Sequence, residues 1–453
     1  MNRVFFSFRL LTVLLLTLAL AFPATAQNRR GIVLIRDAEI EDTLRLYATP
    51  IFQAAGIVPG AVRIYLVNDD SINAFVAGGQ NLFIYTGLLR RTSSPGEVIG
   101  VIAHETGHMA GGHLVRMQAD LRNLSTAAIL AYVLGAAAAI GGGGGAGAAV
   151  LTGATQVAQR GMLRYSRTQE QAADQAGVRF LNRSGWSPAG MLSMMEKIDR
   201  ERQVLGAERA DPYLQTHPLP QQRIAFLERQ VAASPSRNAP WPEDFIRRHQ
   251  RMLAKLRGFL DAPTETLRTT TQATTFADRY ARLIALYRLP DLAEAERLFG
   301  RLNTEYPDDP YLWELRGQMR LENQRIAEAI GDYRKADTLT QGQQPMIRFG
   351  LARALLASGE AADTASAIPV LRSVTDVERR NTEAWRMLGI AYGQQGDEAR
   401  AALALAEKAY IEGNRPQLAL NVRRAKDGIP ADTPDGVRLA DLKKALAEDE
   451  RFQ

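Results

Sequence analysis

Residues 104–108 read His104-Glu105-Thr106-Gly107-His108, directly after the run Ser94-Pro95-Gly96-Glu97-Val98-Ile99-Gly100-Val101-Ile102-Ala103. The run predicts a helix. Its serine and glutamate have the spacing of a capping box, with proline at the first helical position. Val98, Ile99, Val101 and Ile102 recur with a spacing that buries a face. Residues four apart on a helix share a face, so His104 and His108 can hold one metal ion while Glu105 stands beside it. Two imidazoles leave a zinc ion short of ligands. A neighbouring carboxylate can take a proton from bound water, the arrangement of a zinc-dependent hydrolase. The plainer alternative is a chance match whose histidines only pack, and the rest of the chain weighs against it.

The chain has five histidines: His104, His108, His113, His217 and His249. A metzincin pattern needs its third histidine at 114, where Leu114 stands. His113 would lie about 180° around the helix from His104. A better third ligand comes downstream in Glu170-Gln171-Ala172-Ala173-Asp174. On a helix Glu170 and Asp174 share a face, so Glu170 can ligate the metal while Asp174 accepts a hydrogen bond from a ligating histidine. Alone, such a pair is most often two solvated carboxylates. His249 sits among arginines on what reads as a solvated helix and is given no role.

Upstream of the histidine helix, Gly31–Asp37 reads as a short strand, 38–55 as a helix, and Val62–Val67 and Ala74–Tyr85 as strands, the second broken by Gly78-Gly79 as a hairpin turn. The edge of such a sheet can pair with an extended peptide, and Gln80–Tyr85 is the candidate edge. Residues 126–155 are rich in alanine with five glycines at Gly141–Gly145, and no charge falls between Arg122 and Arg160. The glycine run breaks any single helix. Three readings stay open: a hairpin packed on the protease core, a peripheral membrane contact, or a membrane insertion.

The first 26 residues have a basic start (Arg3, Arg9), an apolar run from Leu10 to Phe22 and the small-x-small site Ala24-Thr25-Ala26. This is the pattern of a cleavable signal peptide, and it predicts export from the cytoplasm. The chain has no cysteine, so no disulfide supports it outside the cytoplasm. Removing Arg3 and Arg9 lowers the formal charge from +6 to +4. That excess is thin and scattered, which argues against nucleic acid as a partner.

Residues 162–230 read as helices broken at Gly185-Trp186-Ser187-Pro188 and Asp211-Pro212. Beyond them the chain repeats. Trp385, Leu388, Gly389 and Tyr392 fit the W-x2-L-G-x2-Y opening of a tetratricopeptide repeat. Trp313 and Gly317 keep the same offset 72 residues earlier, two repeats of about 36 residues. Met346 and Gly350 fill the register between them, and Tyr280, Ile284 and Tyr287 mark a degenerate first unit. Ala327, Ala336, Ala399 and Ala409 suit close helix packing. The expected division is a signal peptide at 1–26, a protease domain at 27–265, a threonine-rich linker at 266–275, repeats at 276–425 and a tail at 426–453.

Together, the HExxH element, the small-residue segment, Tyr165-Ser166-Arg167 ahead of ExxxD, and Thr216-His217-Pro218-Leu219-Pro220 with Arg223 resemble the HtpX/Ste24-type zinc metallopeptidases. The signal peptide and C-terminal repeats are similar to a periplasmic subgroup of that family. The resemblance implies one zinc ion per chain on His104, His108 and Glu170, with Glu105 as general base. It implies that His217 reaches the zinc as a fourth ligand from a movable loop. There it acts either as an inhibitory plug or as a donor to the transition state, with Arg223 assisting. It also implies unfolded or stalled outer-membrane proteins as substrates, and the outer-membrane assembly machinery as a partner of the repeats.

The expected fold is α+β, mostly α: a zincin-type metalloprotease domain with a small sheet, then an all-α repeat array. The expected function is a periplasmic zinc endopeptidase with chaperone-like activity. Its rivals are a non-proteolytic chaperone or scaffold and a membrane-anchored peptidase.

Overall fold

The computed structural model describes residues 33–78, 80–112, 167–205, 217, 221–289 and 291–448. The signal segment, His113, residues 126–155 and the Pro218-Pro220 loop lie outside the described residues. The described residues form two compact units. One comprises 33–34, 51–91 and the described part of 100–237; the other comprises 35–50, 92–99 and 238 onward.

The first unit holds the small sheet, with strands β1 (Leu34–Ile35), β2 (Arg63–Val67), β3 (Ala74–Ala77) and β4 (Asn81–Tyr85) in the order β1-β2-β4-β3. β3 and β4 form the expected antiparallel hairpin, and β2 runs parallel to β4. This corrects the candidate edge. Gln80–Tyr85 is not an edge, because β4 lies between β2 and β3; β3 occupies that side of the sheet. The hairpin signal identified a neighbouring strand but could not reveal the parallel partner on the other side. β1 is also shorter than expected.

Helix α1 (Ala38–Ala54) follows β1, and the short α2 (Thr86–Arg91) follows β4. The histidine helix is α3 (Pro95–Ala110). Its start departs slightly from a standard capping box: the Glu97 carboxylate accepts from the Ser93 N–H at 2.6 Å. Val98, Ile99, Val101 and Ile102 are buried, as their spacing predicts. Helices α4 (Arg167–Arg183), α5 (Ala189–Leu205) and α6 (Gln221–Ala233) complete this unit, with the expected break at 184–188.

The second unit is helical from 243 on: α7 (Glu243–Leu260), α8 (Pro263–Thr269), α9 (Phe276–Arg288), α10 (Leu292–Glu305), α11 (Pro310–Glu322), α12 (Ile326–Leu339), α13 (Pro345–Ala357), α14 (Ala361–Val377), α15 (Thr382–Gln394), α16 (Glu398–Glu412), α17 (Arg415–Ala425) and α18 (Pro434–Glu448). Consecutive pairs pack as repeats should. Trp385, Leu388 and Tyr392 are buried with Tyr333 and Leu351 in one core. Gly350 is required by close approach, since a Cβ there would lie 2.4 Å from the Tyr333 ring. Ala336 and Ala409 are buried as expected; Ala327 is exposed, and Ala329 packs in its place.

Two expectations about this unit change. His249 is not solvated: it is 2% exposed and bonded to Thr92 Oγ1 at 2.8 Å. The stretch expected as a linker is partly helical, because α8 includes 266–269, and α7 packs on α9 with the Gly258 backbone against Ile284.

Segment 35–50 belongs with the repeats for a clear reason. Glu39 is buried and accepts from Arg251 and from the Tyr280 hydroxyl at 2.8 Å. Lys255 pairs with Asp37 at 2.9 Å and with Glu314 at 3.4 Å. The Tyr311 hydroxyl donates to Asp42, and Arg36 reaches Glu378 at 2.5 Å. Ala38 packs with Tyr311, Ala336 and Ile347. Tyr280, Tyr311 and Ile347 stand on the alternate helices α9, α11 and α13, so the segment covers one face of the early repeats. Buried charges persist only when paired in this way.

Candidate active site

Three elements of the first unit meet at one buried point. α3 brings His104, Glu105 and His108; α4 brings Glu170 and Asp174; residue 217 and α6 bring His217 and Arg223. Each of the seven is at most 1% exposed. α3 and α4 approach closely because Gly107, a variable position of the motif, has no side chain. A Cβ at 107 would lie 2.6 Å from the Ala173 carbonyl oxygen. Sequence reasoning missed this residue. Its only signal was a glycine inside a helix, which needs a packing reason.

Ligand atoms of His104, His108, Glu170 and His217 all lie within 4.8 Å of one another. The His104 and His108 Nε2 atoms are 3.1 Å apart. Glu170 stands 3.3 Å from His108 Nε2, 3.5 Å from His104 Nε2 and 3.1 Å from His217 Nδ1. Nitrogens of three imidazoles and a carboxylate thus point at one centre, which suits a metal ion.

Around this cluster, His104 Nδ1 donates to Asp174 at 2.9 Å, which turns its Nε2 toward the centre. Arg223 donates to Asp174 through Nε at 2.7 Å and Nη2 at 2.8 Å, and pairs with Glu170 through Nη1 at 2.6 Å. Burial alone would push the Asp174 carboxyl up, but the Arg223 and His104 contacts hold it below its ordinary value. Arg223 therefore touches both carboxylates of ExxxD. Its guanidinium is fully engaged by these two carboxylates.

Glu105 differs from its neighbours. Both carboxylate oxygens are buried without a hydrogen-bond partner, and burial pushes its pKa up against the opposing pull of His217 and His104. His217 Nε2 approaches Oε1 to 3.5 Å, beyond a hydrogen bond of normal length. A buried polar group left unsatisfied in this way is uncommon and fits a functional demand.

Residues 35–231 match the model of peptidase family M48. The chain carries an M48 peptidase domain. Residues 293–409 match the cytochrome c-type biogenesis protein H TPR domain, so tetratricopeptide-type repeats follow the peptidase. The chain is 26% identical to the beta-barrel assembly-enhancing protease of Yersinia pestis over 424 residues, 92% of this chain and 84% of that protein. It is 26% identical to the protease of the same name in Escherichia coli (strain K12), over 86% of this chain and 80% of that protein. A mitochondrial metalloendopeptidase, OMA1 of Arabidopsis thaliana, is 30% identical over 165 residues, 36% of this chain and 30% of that protein. The chain is a metallopeptidase with an α+β, mostly helical fold. Among the described residues, no helix is long and apolar enough to cross a membrane.

Proposed function

We propose that the chain is a zinc endopeptidase, exported to the periplasm, that cleaves unfolded or stalled outer-membrane proteins and recruits them, or their assembly machinery, through its repeats. Its similarity to proteases named for beta-barrel assembly supports the client class. A chaperone-like action of the repeats fits the same role.

The observation that carries this reading is the convergence of His104, His108 and Glu170 beside an unsatisfied Glu105. The donor set fits zinc. Ligands about 2.0–2.1 Å from one ion in a tetrahedron lie roughly 3.3 Å from one another. The measured separations are 3.1 Å between the two Nε2 atoms and 3.3 Å from His108 to Glu170. His104, His108 and Glu170 would hold the ion, with Asp174 orienting His104.

When bound, zinc would polarise the scissile carbonyl and make water a better acid. Glu105 takes a proton from the attacking water on its buried carboxylate and passes it to the leaving amine. Asp174 keeps the His104 ring in one tautomer, and Arg223 holds Asp174 and Glu170 in register as a positioning residue. His217 fills the fourth corner of the cluster and faces Glu105 through its other nitrogen. We take this as a plug that must leave before substrate enters, since a closed four-ligand site has no open position for catalysis. The substrate, an extended polypeptide, is assigned to the β3 edge, in place of the strand expected from sequence.

Metal analysis of purified protein tests the assignment. The wild type should hold about one zinc per chain and Glu170→Ala should lose it. Full zinc in Glu170→Ala, or none in the wild type, would overturn it.

A further inference from the structure

Among the described residues, two roomy cavities on the helical unit differ in charge. The larger, about 790 Å³, is lined by Arg247, Arg248 and Arg251. All three already pair with the chain's own acids: Arg247 with Asp244, Arg248 with Asp42 and Asp244, and Arg251 with Glu39 and Asp309. Its arginines are thus spent on the chain's own acids, and the carboxylates of Glu243 and Asp308 line it as well, so it does not suit an acidic partner. The second cavity, about 590 Å³, lies between α15, α16 and α18 and the turn before α15. Its volume falls within the range of ligand sites.

This second cavity has an apolar wall and a rim that carries Arg379 and Arg380; two carboxylates, Glu407 and Asp441, also line it, and Glu407 lies 3.9 Å from Arg438. Tyr410 and Ile411 are half-buried in the wall, and Val437 is 57% exposed there. Trp385 forms the floor, with the Arg438 guanidinium 5.0 Å from its ring centre. Arg379 and Arg380 stand exposed at the rim, and neither guanidinium has a hydrogen bond or ion pair with a described residue. The cavity also continues a surface already in use. Segment 35–50 covers α9, α11 and α13 and ends at the ion pair of Arg36 with Glu378, the residue before Arg379. α15 is the next alternate helix and is left uncovered by that segment.

We propose that this cavity is the peptide-docking site of the repeats, and that it takes an extended segment with a bulky apolar or aromatic side chain flanked by carboxylates. The side chain enters between Tyr410, Ile411 and Val437, and the carboxylates meet Arg379 and Arg380. On the earlier repeats the chain's own segment already covers the corresponding face. The proposal deepens the reading of the repeats as the recruiting part and rests on it, but it does not involve the metal site.

The test uses the full chain with Glu105→Gln, so that the probe survives. A fluorescent peptide with a central phenylalanine flanked by aspartates is titrated beside its lysine-flanked counterpart. Arg379→Glu with Arg380→Glu, and separately Val437→Asp, are then titrated; all three positions are exposed, and a thermal melt checks folding. Saturable binding of the acidic peptide is expected, roughly tenfold weaker in the double variant and for the lysine peptide, the change that about 1.4 kcal/mol produces. Equal binding of both peptides, or undiminished binding by the double variant, would overturn the proposal. So would a dimer that Val437→Asp dissociates and the peptide does not, which would make a second copy the occupant. Casein cleavage by the wild-type chain, measured alongside, reports on the protease reading independently.

Discussion

His217 separates two chemistries at the scale of a single residue. Its Nδ1 lies 3.1 Å from Glu170 and its Nε2 3.5 Å from Glu105, which on the proposed reading puts it where the substrate carbonyl and water would enter. As a plug, its removal opens the fourth position. His217→Ala should then raise basal casein cleavage and self-cleavage at unchanged zinc content. A transition-state donor would give the opposite, a fall of roughly 10²–10³-fold. Comparing basal cleavage by the variant and the wild type decides between them. Helical spacing puts His104 with His108, and Glu170 with Asp174, on one face each; that the two faces turn toward one metal rests on the HExxH pattern and the family resemblance. The work of Arg223 was not legible in the sequence. Its ties to Asp174 and Glu170 join residues 49 and 53 positions apart in sequence. No local pattern reports such contacts.

Elements enter through the contact of α3 with α4. The ExxxD helix can deliver Glu170 to the histidines only because residue 107 lacks a side chain where the Ala173 carbonyl passes. Gly107→Ala should therefore push the helices apart, cost about 1–3 kcal/mol as overpacking does, and lower zinc content. A urea midpoint and metal analysis measure both effects; an unchanged midpoint with full zinc would show that the backbone yields without cost. The helices themselves were readable from capping residues and apolar spacing. The sheet order was not, because a parallel neighbour such as β2 leaves no turn signal beside β4, whereas the hairpin to β3 does.

At the scale of the whole molecule, a segment far upstream belongs with the repeat-bearing unit. Residues 35–50 and 238 onward pack with the repeats, and the Asp37–Glu39–Arg251–Lys255–Tyr280–Glu314 cluster is internal to that unit. A fragment of residues 27–265 keeps Glu39, Arg251 and Lys255 but loses Tyr280, Asp309 and Glu314. It also exposes Ala38 and the face of α7 that packs on α9. We expect this fragment to be insoluble or to melt far below the full chain. A cooperative melt near that of the full chain would show that segment 35–50 does not depend on the repeats. Sequence could not reveal this arrangement, because the acids of 35–42 read as ordinary solvated residues at a helix start until their distant basic partners are seen.

All three scales meet in Glu105: α3 carries it, the α3–α4 contact buries it, and no neighbour satisfies either oxygen. Glu105→Gln replaces the proton acceptor with a group of nearly the same shape and leaves His104, His108 and Glu170 in place. The decisive measurement is casein cleavage by this variant beside the wild type, with zinc quantified in both. Equal zinc with cleavage reduced roughly 10²–10⁴-fold is the predicted result; equal zinc with undiminished cleavage would contradict the account.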